Sequence, residues 1–345
     1  MKSLLKPQHL KKGDTVATVS LSWGGAGDPQ TLWRYRQGKE RLEKLFGLRV
    51  IEMPHTLAGS DYLYRHPEKR AQDMMAAFSD PAVKAVFTCI GGEDTLRLLP
   101  FIDLDVIRNN PKIFIGYSDT TVNHYMCYQA GLSSFYGGSV LADFAENVEL
   151  PAYTAEWMEK TLFRTDVIGS VPASECFTGE YLPWIVENRN TSRTFRPNSG
   201  YTVVQGHGTA SGSLIGGCIE VLDWLRGTAL FPQADDFCGA LLFLETSEDK
   251  PLPRDFKYML RSLGALGVFE RINGILFAKP YGEVYRDEYH AELIKVLAEH
   301  GKSDMPVLAN ASFGHNEPKC CLPFGAMAEI DCDTKSFTIL ESGVV

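Results

Sequence analysis

Ser118 sits in the run KIFIGYSDTT, residues 112–121, where an apolar stretch meets Gly-Tyr-Ser-Asp-Thr and a helical pattern follows at once. This is the strand–turn–helix setting of a nucleophile elbow, in which a serine on a tight turn projects its Oγ above the sheet. The N–H of the next residue, Asp119, then lies at a helix N-terminus, where donors and dipole favour a developing oxyanion. The G-x-S-x-G pattern is incomplete, because Thr120 replaces the second glycine. Serine before a helix is also a common N-cap, so the motif alone leaves nucleophile and cap level. Gly91-Gly92 ends the preceding apolar run and would lie beside the elbow in a parallel sheet. Two glycines admit a close ligand, which makes the Gly92 N–H a candidate second oxyanion donor; a plain βα turn explains them equally well.

A serine at its ordinary pKa needs a base. Of the eight histidines, His315 has the best placement, in a Phe-Gly-His turn after the run PVLANASF. His207, between Gly206 and Gly208, is the second candidate. His9, His55 and His66 fall in expected loops or caps, His290 and His300 on an expected surface helix, and His124 on a helix six residues past the serine, where packing suffices. The orienting acid should also end a buried strand, and Glu245 closes ALLFLE. The order Ser118, Glu245, His315 is that of α/β-hydrolases, with the nucleophile and its partners in different halves of the chain. Such a triad forms only at an interdomain cleft. A metal site is the competing use of His315, since Cys320-Cys321 follow it, but adjacent cysteines lack the C-x₂-C ligand spacing. No metal or cofactor is expected.

The elements that must position these residues are legible as a rhythm. Residues 14–21, 48–53, 82–90 and 112–116 read as strands, alternating with helices over 28–47 (Asp28 as N-cap, Pro29 first), 67–78, 96–100, 104–108 and 120–130. The alternation implies an α/β fold with a parallel sheet covered on both faces, and ligands on such sheets bind outside the strands' carboxyl ends. Residues 146–205 break the rhythm. Three parts follow: a domain over 1–150 with the elbow, a linker and substrate loop over 151–205, and a second β/α domain over 206–345. In the second, GSLIGGCIEVLDWLRGT (212–228) reads as a glycine turn feeding a helix near Gly217, with further strands at 240–245, 274–278 and 306–309, helices at 253–266 and 289–300, and a closing hairpin over 326–340. A chain of 345 residues exceeds what one core usually serves.

Net charge is −9, and no Lys/Arg cluster with interleaved aromatics appears, which disfavours a nucleic-acid polymer as partner. No run approaches the ~20 apolar residues of a membrane span, and the N-terminal apolar stretch is too short for a signal-peptide core. Eight scattered cysteines read as free thiols of a reducing cytoplasm.

Four blocks carry a resemblance to a known family: GGED at 91–94, FIGYSD at 114–119, GSLIGGCIEVLDWLRGT with LLFLET at 241–246, and SFGH at 312–315 followed by LPFGAMAEID at 322–331. They occur in the right order across most of the chain, and the chain resembles the L,D-carboxypeptidase family of serine peptidases, in particular its microcin C self-immunity branch. The resemblance implies an N-terminal flavodoxin-like α/β domain, a C-terminal swivelling β/α domain, and a Ser-Glu-His triad between them. Carried over by motif, that is Ser118, Glu245 and His315, with Gly92 and Asp119 as oxyanion donors. It also implies a homodimer. The immunity branch carries a loop tryptophan that stacks on the substrate's adenine, and Trp184 matches it, although a packing tryptophan is equally consistent. Cys218 departs from the family pattern, in which Asn often follows Gly-Gly, and this puts in doubt what that side chain orients. The expected substrate is an aminoacyl- or peptidyl-nucleotide, cleaved at an amide as in detoxification. The alternatives are a murein tetrapeptide in cell-wall recycling, and a two-domain binding protein in which Ser118 only caps its helix.

Overall fold

The computed structural model describes residues 2–345. The apolar runs of the first half build a six-stranded sheet in the order Leu322–Pro323, Phe135–Tyr136, Ile113–Gly116, Val83–Thr88, Thr15–Val19, Arg49–Glu52. All neighbours are parallel except the first pair. Taken in chain order, the first-half strands lie 2-1-3-4-5, the doubly wound flavodoxin-like arrangement. Side chains alternate between two cores, as a pleated strand requires. Val16, Ala85, Phe87, Ile113 and Ile115 face one cluster with Leu42, Phe46, Phe144, Met158 and Leu162. Ala17, Val86 and Phe114 face the other.

That second cluster does not stop at the domain. It continues through Tyr125, Tyr136 and Phe324 into Leu214, Phe243 and Leu276. The second sheet has eight strands, in the order Gly169–Ser170, Ser336–Ile339, Met327–Asp331, Thr209–Cys218, Leu241–Glu245, Gly274–Ala278, Val307–Ala311, Thr202–Gln205. The four from Thr209–Cys218 to Val307–Ala311 are parallel and the outer ones antiparallel. Helices Pro253–Ala265 and Arg286–Glu299 cover it. No helix among the described residues is long and apolar enough to cross a membrane.

Three expectations change. The glycine-rich run 212–218 is the end of a ten-residue strand, not a turn, and the helix begins only at Ile219. The glycines mark close approach: a Cβ on Gly216 would lie 1.7 Å from the Phe243 carbonyl oxygen, and one on Gly217 2.6 Å from Thr121. The first helix is Leu32–Phe46, not one opening at Asp28. The Asp28 carboxylate is taken by Ser60, accepting from its N–H at 2.8 Å and from its hydroxyl. Residues 151–205 are also more than a linker. They supply helix Ala152–Leu162, which packs Met158 and Leu162 into the first domain, and both edge strands of the second sheet.

Gly216→Ala tests the close approach. Overpacking of this kind costs about 1–3 kcal/mol, so the urea unfolding midpoint should fall accordingly; an unchanged midpoint would mean the two strands lie farther apart.

Candidate active site

Strand Ile113–Gly116 ends beneath the junction of the two sheets. Tyr117 is extended, and Ser118 turns to φ 64, a left-handed conformation rare for a residue with a side chain. Residues Ser118–Thr120 form one tight helical turn and Thr121–Ala130 continues as helix. Such strain persists only where the surroundings hold it. Here the Ser118 N–H donates to Tyr136 Oη at 3.2 Å, and Thr121 Oγ1 donates back to the Ser118 carbonyl at 2.7 Å. Gly91 packs directly against the turn, since a Cβ there would lie 2.9 Å from that of Ser118.

The second domain meets this hydroxyl with two groups. His315 Nε2 lies 3.0 Å from Ser118 Oγ, and its Nδ1 lies 2.6 Å from Glu245 Oε2. The structure therefore brings Ser118, His315 and Glu245 into one hydrogen-bonded chain. Glu245 ends the buried strand Leu241–Glu245 and is wholly enclosed. Its other oxygen accepts from the Tyr136 hydroxyl. Gly314 makes the approach of His315 feasible, because a Cβ on it would stand 2.3 Å from Glu245 Oε2. A second carboxylate, that of Glu248, reaches the other imidazole nitrogen, Nε2, through Oε2 at 2.9 Å. Burial disfavours the imidazolium, but Glu245 and then Glu248 outweigh it and push the His315 pKa up to about 10.

Asp119, read from the sequence for its N–H alone, also has a structural carboxylate. Its Oδ2 accepts from Ser22 Oγ at 2.6 Å and from the Asp94 and Thr95 N–H groups at 3.0 and 2.9 Å, tying the loop after Val83–Thr88 to the elbow. Gly92 has φ 140, and a Cβ on it would lie 2.5 Å from Ser22 Oγ. Gly92 and Trp184 both line, with Ser118 and His315, a cavity of about 930 Å³. The Trp184 ring lies 6.2 Å from that of Trp23, tilted by 31°, with the Arg34 guanidinium 4.6 Å from its centre. His207 is exposed and lies outside this cavity. Cys218 pairs with Glu245 across the second sheet, and its Sγ lies 3.3 Å from Glu220 Oε2. Among the described residues no group of three or more His, Cys, Asp and Glu side chains is arranged to hold a metal ion.

Sequence reasoning missed Glu248, Tyr136 and a buried ionic cluster behind the imidazole. The Tyr117 ring packs edge-on against His315 at 5.0 Å, and Lys319 Nζ sits 3.8 Å from the centre of that ring. Lys319 in turn pairs with Asp143 and Glu317, both at 2.7 Å. Burial, then Asp143, pushes the Glu317 carboxyl up to about 8 against the pull of Lys319. Only the alternation of charge in Glu317-Pro318-Lys319 signals this in sequence, and the third member is distant.

Lys319→Met tests the cluster. Removing one partner of a buried ionic group costs about 3–5 kcal/mol. Glu317, already raised and now without its ammonium partner, would bind its proton more tightly folded than unfolded, so the loss should grow as pH rises and shrink toward pH 5. Urea unfolding at pH 5 and 8 measures it; an equal loss at both would contradict the assignment.

Residues 16–137 match the family model of the LD-carboxypeptidase N-terminal domain and residues 211–330 that of the C-terminal domain. The chain is 32% identical to YocD of Bacillus subtilis over 329 residues, 93% of this chain and 94% of that one. It is 30% identical to the microcin C7 self-immunity protein MccF of Escherichia coli over 345 residues, 96% and 94% of the two chains. It is also 30% identical to a B. subtilis protein named for murein peptide carboxypeptidase activity, over 98% of this chain and 95% of that one. Among solved structures, an MccF-like protein of Streptococcus pneumoniae in complex with AMP superimposes with a TM-score of 0.87 at 34% identity, covering 95% of this chain and 98% of that one. MccF in complex with aspartyl sulfamoyl adenosine gives 0.86 at 27%, covering 99% and 100%.

Proposed function

The chain belongs to the LD-carboxypeptidase family of serine peptidases, and from that premise we propose that it is a Ser118–His315–Glu245 hydrolase of aminoacyl- or peptidyl-nucleotide amides, of the self-immunity type. The single observation that carries the proposal is the continuous hydrogen-bonded chain from Ser118 Oγ through both imidazole nitrogens to Glu245. In it His315 takes the hydroxyl proton as Oγ bonds to the acyl carbon, then returns it to the leaving nitrogen. Glu245, tied by Tyr136, keeps Nδ1 protonated and the ring in place. The Gly92 and Asp119 N–H groups receive the negative oxygen. Water then releases the acyl group by the same steps in reverse order.

Trp184, with Trp23 beside it and Arg34 over its ring, supplies a flat aromatic face at one end of the cavity, suited to a nucleobase. Related structures hold AMP, aspartyl sulfamoyl adenosine and glutamyl sulfamoyl guanosine, which favours the nucleotide reading. A murein tetrapeptide is the second reading, favoured by the relative named for that activity.

Offering purified protein aspartyl sulfamoyl adenosine and a murein tetrapeptide side by side separates them. Ser118→Ala should lower kcat on the cleaved substrate by about 10⁴–10⁶-fold; retention of most activity would remove the nucleophile. Trp184→Ala should raise KM for the nucleotide about tenfold or more, on the scale of one lost base stack, and leave the tetrapeptide unaffected. Equal effects on both would remove Trp184 from base recognition.

A further inference from the structure

The His315 Nε2 atom has two neighbours, Ser118 Oγ at 3.0 Å and Glu248 Oε2 at 2.9 Å. A neutral imidazole with its proton on Nδ1, toward Glu245, would present a lone pair at Nε2, and a carboxylate could not rest against it. The contact is attractive only when Nε2 carries a proton, and a protonated Nε2 cannot accept one from Ser118. Glu248 as placed therefore opposes the base role of His315.

Two further observations say what would move it. Glu248 lies on the loop after strand Leu241–Glu245, and its side chain is 60% exposed, in contrast to the enclosed Glu245. The wall it belongs to is anionic: Glu220, Glu248 and Asp249 line the cavity beside Cys218 and Ser247. The two lining arginines are engaged elsewhere, Arg34 over the Trp184 ring and Arg193 paired with Glu146. With a nucleotide on Trp184, this wall receives the acyl residue.

We propose that Glu248 is a specificity-determining residue of the acyl side: until substrate binds, it caps Nε2–H of His315, and an ammonium or other cationic group on the acyl residue draws it away. The inference rests on the hydrolase reading above. Glu248 then pairs with the substrate cation, the imidazolium releases one proton to solvent, and the freed Nε2 accepts the Ser118 proton as Oγ bonds to the acyl carbon. No covalent bond involves Glu248.

The other groups facing the imidazole do not change in this exchange. Glu245 remains on Nδ1 with Tyr136 behind it, Cys218 and Glu220 flank Glu245, and Tyr117 covers the ring with Lys319, Glu317 and Asp143 beyond it. The mutual effect is consistent. The cavity wall partly desolvates this exposed carboxylate, yet His315 pulls its pKa down to about 2.

The test is Glu248→Gln. Titration of His315 by ¹⁵N NMR in the ligand-free protein should move to lower pH by about 1–2 units, the usual effect of removing one adjacent opposite charge. The acid limb of kcat/KM, which reports the free enzyme, should move with it, while the limb of kcat, which reports the complex, should stay. Wild type should prefer aspartyl sulfamoyl adenosine over its N-acetyl derivative by about tenfold or more, the scale of one charged hydrogen bond, and Glu248→Gln should erase the preference. An unmoved His315 titration overturns the capping, and an undiminished preference overturns the cation role. If neither nucleotide is hydrolysed, the nucleotide reading fails separately; a lysyl-D-alanine dipeptide and its N-acetylated form then supply the same comparison.

Discussion

A carboxylate removed from water has to be paired, and Glu245 is removed completely. Its two oxygens are met by groups from opposite sides of a domain boundary: the Tyr136 hydroxyl from the first sheet and His315 Nδ1 from the second. Tyr136 also receives the Ser118 N–H. One buried anion thus holds the imidazole, and through a tyrosine the strained serine, in a common frame. The cost of leaving it unpaired, several kcal/mol, makes the relative placement of the two domains a condition of stability as well as of reactivity.

That placement is secured by packing that has no polar alternative. Helix Thr121–Ala130 is buried at every position except Gln129, so it has no solvent-facing polar stripe and is not amphipathic in the ordinary sense. Its Tyr125 donates to the Gly216 carbonyl at 3.2 Å, and Thr121 Oγ1 accepts from Cys218 N–H at 3.2 Å. These contacts need Gly216 and Gly217 to be bare. The same two glycines that let the strands meet the helix also set Cys218 opposite Glu245.

The alternating apolar and helical pattern of residues 14–130 was sufficient to read the parallel sheet, because strands buried on both faces are apolar throughout and short. Ser118, Glu245 and His315 were legible for a related reason: each follows or ends such a strand, and polar residues there point out of the sheet edge. The glycines at 212–217 were misread as a turn because composition cannot distinguish a glycine needed for φ from one needed for proximity. Glu248 was invisible. It sits in an exposed, charged loop, TSEDK, where any solvated carboxylate would look the same, and only the fold of that loop over His315 distinguishes it. Tyr136 and Lys319 were hidden by sequence distance, since their partners lie 109 and 176 residues away.

The missing second glycine of the elbow follows from where crowding occurs. In the full G-x-S-x-G pattern both glycines relieve contact around the turn. Here Gly116 retains that duty: a Cβ on it would stand 2.2 Å from Thr88 Oγ1 and 2.7 Å from Thr120 Cγ2. On the other side relief comes from the neighbouring loop, where Gly91 has no side chain to strike Ser118. Thr120 is tolerated because Gly116, whose Cβ would strike it, carries no side chain. The elbow is therefore better defined by the space around its serine than by the letters beside it, and in this fold that space is shared between the loop after Val83–Thr88 and the turn after Ile113–Gly116.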